Sequence, residues 1–230
     1  MLLAVILILA TPPSTQAEGT TPLPSPEQIL ERYVAAVGGR AAIERLTTRT
    51  CSGREIDDRP YRGPVVVSPL ESVSEVPGRF LFRLQHPDGT RTEGFDGEAG
   101  WRRDSGGWSR DDGIGQSKLA WFFDPQGVLR IREYFRDLEV VGLGEVNGRP
   151  VYVVQTDRPA AHYSLHFDVE TGLLTRIGYY NDLSDYRVID GVRIPMRLVR
   201  SRKGGSTTWE LTDVEHNLPV SEELFANPGK

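Results

Sequence analysis

Tyr163-Ser164-Leu165-His166-Phe167-Asp168-Val169 alternates apolar and polar residues, and Glu170-Thr171-Gly172 then interrupts it before Leu173-Leu174. Side chains of an extended chain alternate between faces, so Tyr163, Leu165, Phe167 and Val169 share one side and Ser164, His166 and Asp168 the other. Gly172 supplies the positive φ of a tight turn, so the stretch is a strand entering a β-hairpin. The pattern recurs outward in both directions. Asn147-Gly148 and Asp190-Gly191 also sit between alternating segments. Phe80, Phe82 and Leu84 share one face of their strand, as do Val192, Ile194, Met196 and Leu198 of theirs. Hairpin after hairpin predicts a large antiparallel sheet made of sequence neighbours, with one face on a core and one in water. Long sheets of this kind curl into sandwiches or barrels. With few helices available to cover the inner face, the expected fold class is β-rich α+β. The expected form is a half-open antiparallel β-barrel of about ten or more strands covered by a few helices.

The helices have their own signals. Ser25-Pro26-Glu27-Gln28 combines a capping serine, a first-turn proline and a capping-box glutamine. Ile29, Leu30, Tyr33, Val34 and Val37 follow on one face, and Gly38-Gly39 ends the helix. A second short helix is expected over 40–46. Strands are expected over 47–56, 65–76, 79–85, 90–95, 100–103 and 108–110. Segment 113–123 has helical character, with Leu119, Trp121, Phe122 and Phe123 at its end, and 128–136 continues as another short helix. The sheet resumes over 138–146, 151–156, 163–169, 173–180, 192–202 and 207–216, and a turn over 221–225 closes the chain.

Residues 2–10 are an unbroken apolar run, followed by Thr11-Pro12-Pro13-Ser14 and by Thr15-Gln16-Ala17. This is the h-region, breaker and small-residue cleavage pattern of an export signal, although no Lys or Arg precedes it. The run falls well short of the roughly 20 residues that span a bilayer, so no transmembrane anchor is expected after cleavage. The expected layout is a signal peptide over 1–17, a proline-containing linker over 18–24 and one domain over 25–228. The protein is then exported, to the periplasm or beyond. Among 230 residues, 38% are hydrophobic and 26% charged, which suits a packed core. A net charge of -5 without basic blocks argues against a nucleic-acid partner. The lone Cys51 excludes an internal disulfide and, in its strand-like context, is a small core residue.

No catalytic constellation emerges. His162 and His166 are four apart, but on a strand that separates them by about 13 Å, too far for shared ligation. No HExxH or CxxC motif exists, so neither a metal nor a cofactor is expected. Asp57-Asp58 and Asp111-Asp112 are adjacent pairs, which point to opposite strand faces and make no acid/base couple. Neither a nucleophile elbow nor a phosphate loop is present. The segment from Phe95-Asp96-Gly97 to Trp101 is an aromatic-flanked turn that serves either hairpin packing or a cavity wall. Leu119-Ala120-Trp121-Phe122-Phe123 is apolar all round, which suits either a core plug or a cover over the mouth of a curved sheet.

Several segments together resemble a known family. They are Ile29 through Gly39, the Phe95–Trp101 hairpin, Val146-Asn147-Gly148-Arg149-Pro150-Val151-Tyr152, Phe167 through Leu174, and Asp190-Gly191-Val192-Arg193-Ile194-Pro195. In that order they resemble bacterial exported proteins related to the outer-membrane lipoprotein carriers LolA and LolB. The resemblance implies an unclosed antiparallel barrel with helices over its opening, enclosing a hydrophobic cavity for acyl chains. A LolB-like receptor would carry a lipid-modified cysteine after its signal, and Ala17-Glu18 offers none. The carriers' functional arginine is not carried over to any position. The function implied is a non-enzymatic carrier of a lipid or lipoprotein acyl chain, with Phe80, Phe82, Trp101, Trp121, Phe122 and Tyr163 as candidate cavity residues. An envelope sensor or protein-interaction module on the same shell, with an envelope protein as partner, is the first alternative. An envelope hydrolase is the second.

Overall fold

Each turn signal connects neighbouring strands, and together they make one sheet. A computed structural model describes residues 22–111, 113, 118–156 and 163–227, of which 118 and 119 are described for their backbone only. Helix α1 (Pro26–Ala36) and helix α2 (Arg40–Glu44) precede strands β1 (Thr48–Asp58), β2 (Val66–Glu75), β3 (Arg79–His86), β4 (Gly89–Phe95), β5 (Gly100–Asp104) and β6 (Gly107–Arg110). Helices α3 (Lys118–Phe123) and α4 (Ile131–Tyr134) follow. The second run is β7 (Glu139–Val146), β8 (Arg149–Gln155), β9 (Ser164–Asp168), β10 (Leu174–Ile177), β11 (Asn181–Ile189), β12 (Val192–Arg202) and β13 (Gly205–His216). The strands form a 13-stranded antiparallel sheet in the order β6-β5-β4-β3-β2-β1-β13-β12-β11-β10-β9-β8-β7. Two meanders are thus joined through β1 and β13, with Cys51 opposite Val214 and Glu55 opposite Trp209. The outer strands β6 and β7 do not pair, so the half-open barrel expected from the alternation is what forms.

Register assigns the faces. Leu70, Ser72 and Ser74 of β2 stand opposite Leu84, Phe82 and Phe80 of β3. Leu70, Phe80, Phe82 and Leu84 of this row, Leu165 and Phe167 of β9, and Val192, Ile194, Met196 and Leu198 of β12 contribute to one buried cluster shared with α1, α3 and α4. Strands from both meanders meet around that cluster only because the sheet curls. A small second cluster of Leu81, Trp101 and Phe225 lies on the opposite face of β3.

The capping box of α1 forms as expected, Gln28 N–H donating to Ser25 Oγ and Ser25 N–H to Gln28 Oε1. Ile29, Leu30 and Tyr33 face the core. The end of the helix is fixed to the β11–β12 hairpin, where Arg193 N–H donates to Val37 O at 2.8 Å. Gly38 has φ 127°, and a Cβ there would lie 2.2 Å from Gly191 O, so the residue is required twice over.

Some boundaries differ from the sequence expectation. The strand expected over 173–180 stops at Ile177 because 178–180 turn, and the next strand, β11, was not expected at all. Asn181, Asp182, Ser184 and Asp185 are poor strand formers, but pairing with β12 overrides propensity, and the register is the same on both sides of Asp185, whose φ is 53°. Of the helical segment expected over 113–123, residues 114–117 lie outside the described residues and Lys118–Phe123 is helical, while the helix expected over 128–136 contracts to α4. The expected signal peptide and His162 lie outside the described residues.

Candidate functional site

The open seam falls between β6 and β7, and the chain between those strands carries α3 and α4. Trp121 and Phe123 are buried, Phe122 half-buried. Their rings meet the concave sheet face. Phe82 stacks on Trp209 with centroids 5.2 Å apart, Phe123 lies 5.8 Å from Phe82 and 6.0 Å from Trp209, and Phe122 is 5.0 Å from Phe123. Trp121 packs edge-on to Phe135 at 5.7 Å.

Polar bonds hold this apolar segment in place. Ser74 Oγ donates to Phe123 O at 2.6 Å. The buried Arg49 guanidinium donates to Pro125 O at 3.3 Å and, at 3.5 Å, to Phe122 O and Asp124 O. Arg49 Nε also donates to His216 Nε2 at 3.1 Å, and His216 Nδ1 meets Asp190 Oδ2 at 2.9 Å. Nε2 must therefore accept and Nδ1 carry the proton. Burial first, then Arg49, holds the His216 pKa below its ordinary value, against the pull of Asp190. Beside it, Asp124 accepts from Arg130 at 2.9 Å and from Tyr134 Oη at 3.3 Å, and burial raises its pKa. Gln126 Nε2 donates to Glu44 O and Leu46 O, and Trp121 Nε1 to Gly127 O. A guanidinium bound to carbonyls at the end of a short helix satisfies acceptors that have no intrahelical partner.

Of the six residues singled out from sequence, Phe80, Phe82, Trp121 and Phe122 belong to the main core, Phe122 at its margin. Trp101 stands on the other face of the sheet, its indole over Gly94, where a Cβ would come within 2.5 Å of the ring. Tyr163 lies just before β9, half-buried and outside the main cluster. Trp209 was missed, although it stacks on Phe82 and its Nε1 donates to Glu55 Oε2 at 2.7 Å. Its spacing of two from the buried Leu211 was the available signal.

Beside these rings, the concave face opens into a cleft of about 350 Å³ floored by Phe82, Leu84 and Trp209 and walled by Glu55, Arg91, Glu93, Arg102, Asp111 and Arg200. The buried Glu93 accepts from Arg91 and, at 3.1 Å, from Arg102, which also pairs with Asp111 at 3.2 Å. Arg200 Nε donates to Asn181 Oδ1 at 3.2 Å. On the far side of the sheet, Ser164 Oγ lies 2.8 Å from His166 Nε2, which is the beginning of a nucleophile–base pair. Among the described residues, no partner of the buried His166 Nδ1 orients the ring. The described residues hold no group of three or more His, Cys, Asp and Glu side chains placed to bind a metal.

No protein-family model matches the chain, and no curated protein matches it. Solved structures do. A DUF1329 family protein from Desulfovibrio piger aligns with TM-score 0.62 at 13% identity, over 88% of this chain and 98% of that one. A LolA superfamily protein from Nitrosomonas europaea aligns with TM-score 0.60 at 11% identity, over 90% and 100%. A Vibrio parahaemolyticus domain named for outer membrane lipoprotein sorting aligns with TM-score 0.57 at 14% identity, over 86% and 96%. The chain therefore has the LolA-like fold that its turns and alternation led one to expect, and at these identities the likeness establishes the fold alone.

Proposed function

We propose that the protein is an exported, non-enzymatic carrier that binds the acyl chain of a lipid or lipoprotein between the α3–α4 segment and the concave face. The signal peptide would occupy 1–17 and a tether 18–24, leaving a periplasmic domain over 25–228. One observation carries the proposal. The apolar segment that joins the two edge strands rests on Phe82 and Trp209 of the concave face through aromatic rings, but is held to the sheet by polar bonds from Arg49 and Ser74. Rings fill the space in this state, so a chain enters only when α3 moves aside. Moving apolar surface of the ligand out of water, at about 25 cal/mol per Å², would then offset the broken bonds.

Titration with a fluorescent fatty-acyl probe tests the proposal. Saturable binding is expected, with loss in Phe82→Asp and weakening in Phe122→Ala, a variant at a half-buried site that leaves more of the core intact. A well-folded wild-type protein that takes up no lipid would overturn it. A second reading follows from the same filled interior, in which the shell is a sensor or interaction module and carries no ligand. Capture of one envelope protein by a lipid-free chain would favour that reading.

A further inference from the structure

We propose that the cleft on the concave face receives the anionic head, a carboxylate or phosphate monoester, of an amphiphile whose apolar chain runs along the aromatic floor, with Arg200 as the principal ligand. The inference rests on the carrier reading and names the chemical class of its ligand.

The inner row of β12 runs Val192, Ile194, Met196, Leu198 and then Arg200, four apolar residues followed by a guanidinium on the same face. Its register partners are Asn181 on β11 and Thr207 on β13, neither of which carries charge. Three arginines and three carboxylates wall the cleft, so formal charge balances, but the pairing does not. Glu93 is shared by Arg91 and Arg102, and Asp111 is taken by Arg102. Glu55 accepts the indole N–H of Trp209. Among the described residues no carboxylate lies within ion-pair distance of Arg200, whose bond to Asn181 uses Nε and leaves the forked end of the guanidinium. Burial, reinforced by Arg202, Arg91 and Arg59, disfavours its charge, and only Glu55 opposes them. A half-buried cation in that setting is stabilised by an incoming anion, and a guanidinium fork matches a carboxylate or phosphate.

The cleft also connects to the apolar site. Phe82 and Trp209 floor it and are the same rings that contact Phe123 of α3. A head group at Arg200 would place its chain on those rings, toward the cover. The volume, about 350 Å³, suits a head group with the first part of a chain, at the lower end of ordinary ligand sites.

Affinities of the mature chain for palmitate, lysophosphatidate, hexadecanol and inorganic phosphate, measured at pH 8 in wild type and Arg200→Gln, test this. Wild type is expected to bind palmitate and lysophosphatidate about tenfold or more tightly than hexadecanol, the yield of one charge-assisted contact, and inorganic phosphate far more weakly. In Arg200→Gln the acid-to-alcohol ratio should fall to about one, with Arg200→Lys in between. Equal binding of acid and alcohol by wild type, or a ratio that Arg200→Gln leaves unchanged, overturns the head-group site and leaves the carrier reading standing. Inorganic phosphate bound as tightly as lysophosphatidate overturns it in favour of a free-anion site. If no apolar chain binds, the carrier reading and this inference fall together.

Discussion

At the scale of single residues, the Arg49–His216–Asp190 chain couples protonation to the cover. Arg49 donates to Nε2, so a proton on that nitrogen breaks the bond and sets two cations against each other. Arg49 and Asp190 are the charged groups His216 faces, and its native pKa lies below the unfolded value. The unfolded chain therefore binds the proton more readily. Stability from this site is complete above about pH 6.5 and is lost as pH falls toward the lowered native pKa. Denaturation midpoints from pH 8 to 5 should decline, and His216→Gln should flatten part of that decline; an unchanged slope would remove His216 from the account. Truncating Arg49 strands the carbonyls of 122, 124 and 125. Arg49→Met should cost about 2–3 kcal/mol in chemical denaturation and speed amide exchange near them. Sequence held a usable hint, since Cys51, read as a core residue, is two positions from Arg49 on β1 and shares its face. A cation in a β-branched, polar strand nevertheless looks like a solvated residue until the register is known.

Elements were legible wherever the turn chemistry was local. The Asp168–Gly172 turn is an example, because Asp168 accepts from the backbone N–H groups of Glu170 and Thr171 and from Arg149 Nε at 2.6 Å. Arg149 belongs to the Val146–Tyr152 motif, so two of the motifs behind the family resemblance are bonded to each other. Arg149 holds the Asp168 carboxyl far below the ordinary carboxylate range, which places its stabilisation at all pH values above about 4. Asp168→Ala should cost about 2–4 kcal/mol at pH 7, read as a lower denaturation midpoint at unchanged m-value. A loss under about 0.5 kcal/mol would show the turn to be held by its glycine alone. β11 was illegible for the converse reason. Its strand character comes from β12 beside it, and nothing in Asn-Asp-Leu-Ser-Asp signals that partner. The rings of Phe82 and Trp209 meet across strands far apart in sequence, so alternation indicated that Phe82 shares the face of Phe80 and Leu84 but not that Trp209 stacks on it.

On the scale of the whole molecule, the sheet's two ends are consecutive strands that leave a seam, and the segment joining them packs on the concave face of β1, β2, β3 and β13. That arrangement lets α3 move without unpairing a strand, because the ladder continues from β6 to β7 by way of β1 and β13. What holds α3 down is a set of rings and a set of hydrogen bonds, and a ligand chain can replace the first set. The central claim is that the segment is a cover and not permanent core. Amide hydrogen exchange over 118–135 against β9, with and without a fatty-acyl ligand, tests it most directly. The cover should exchange faster than β9 when empty and slow on ligand addition, whereas equal protection in both segments, unaffected by ligand, would show that it is core.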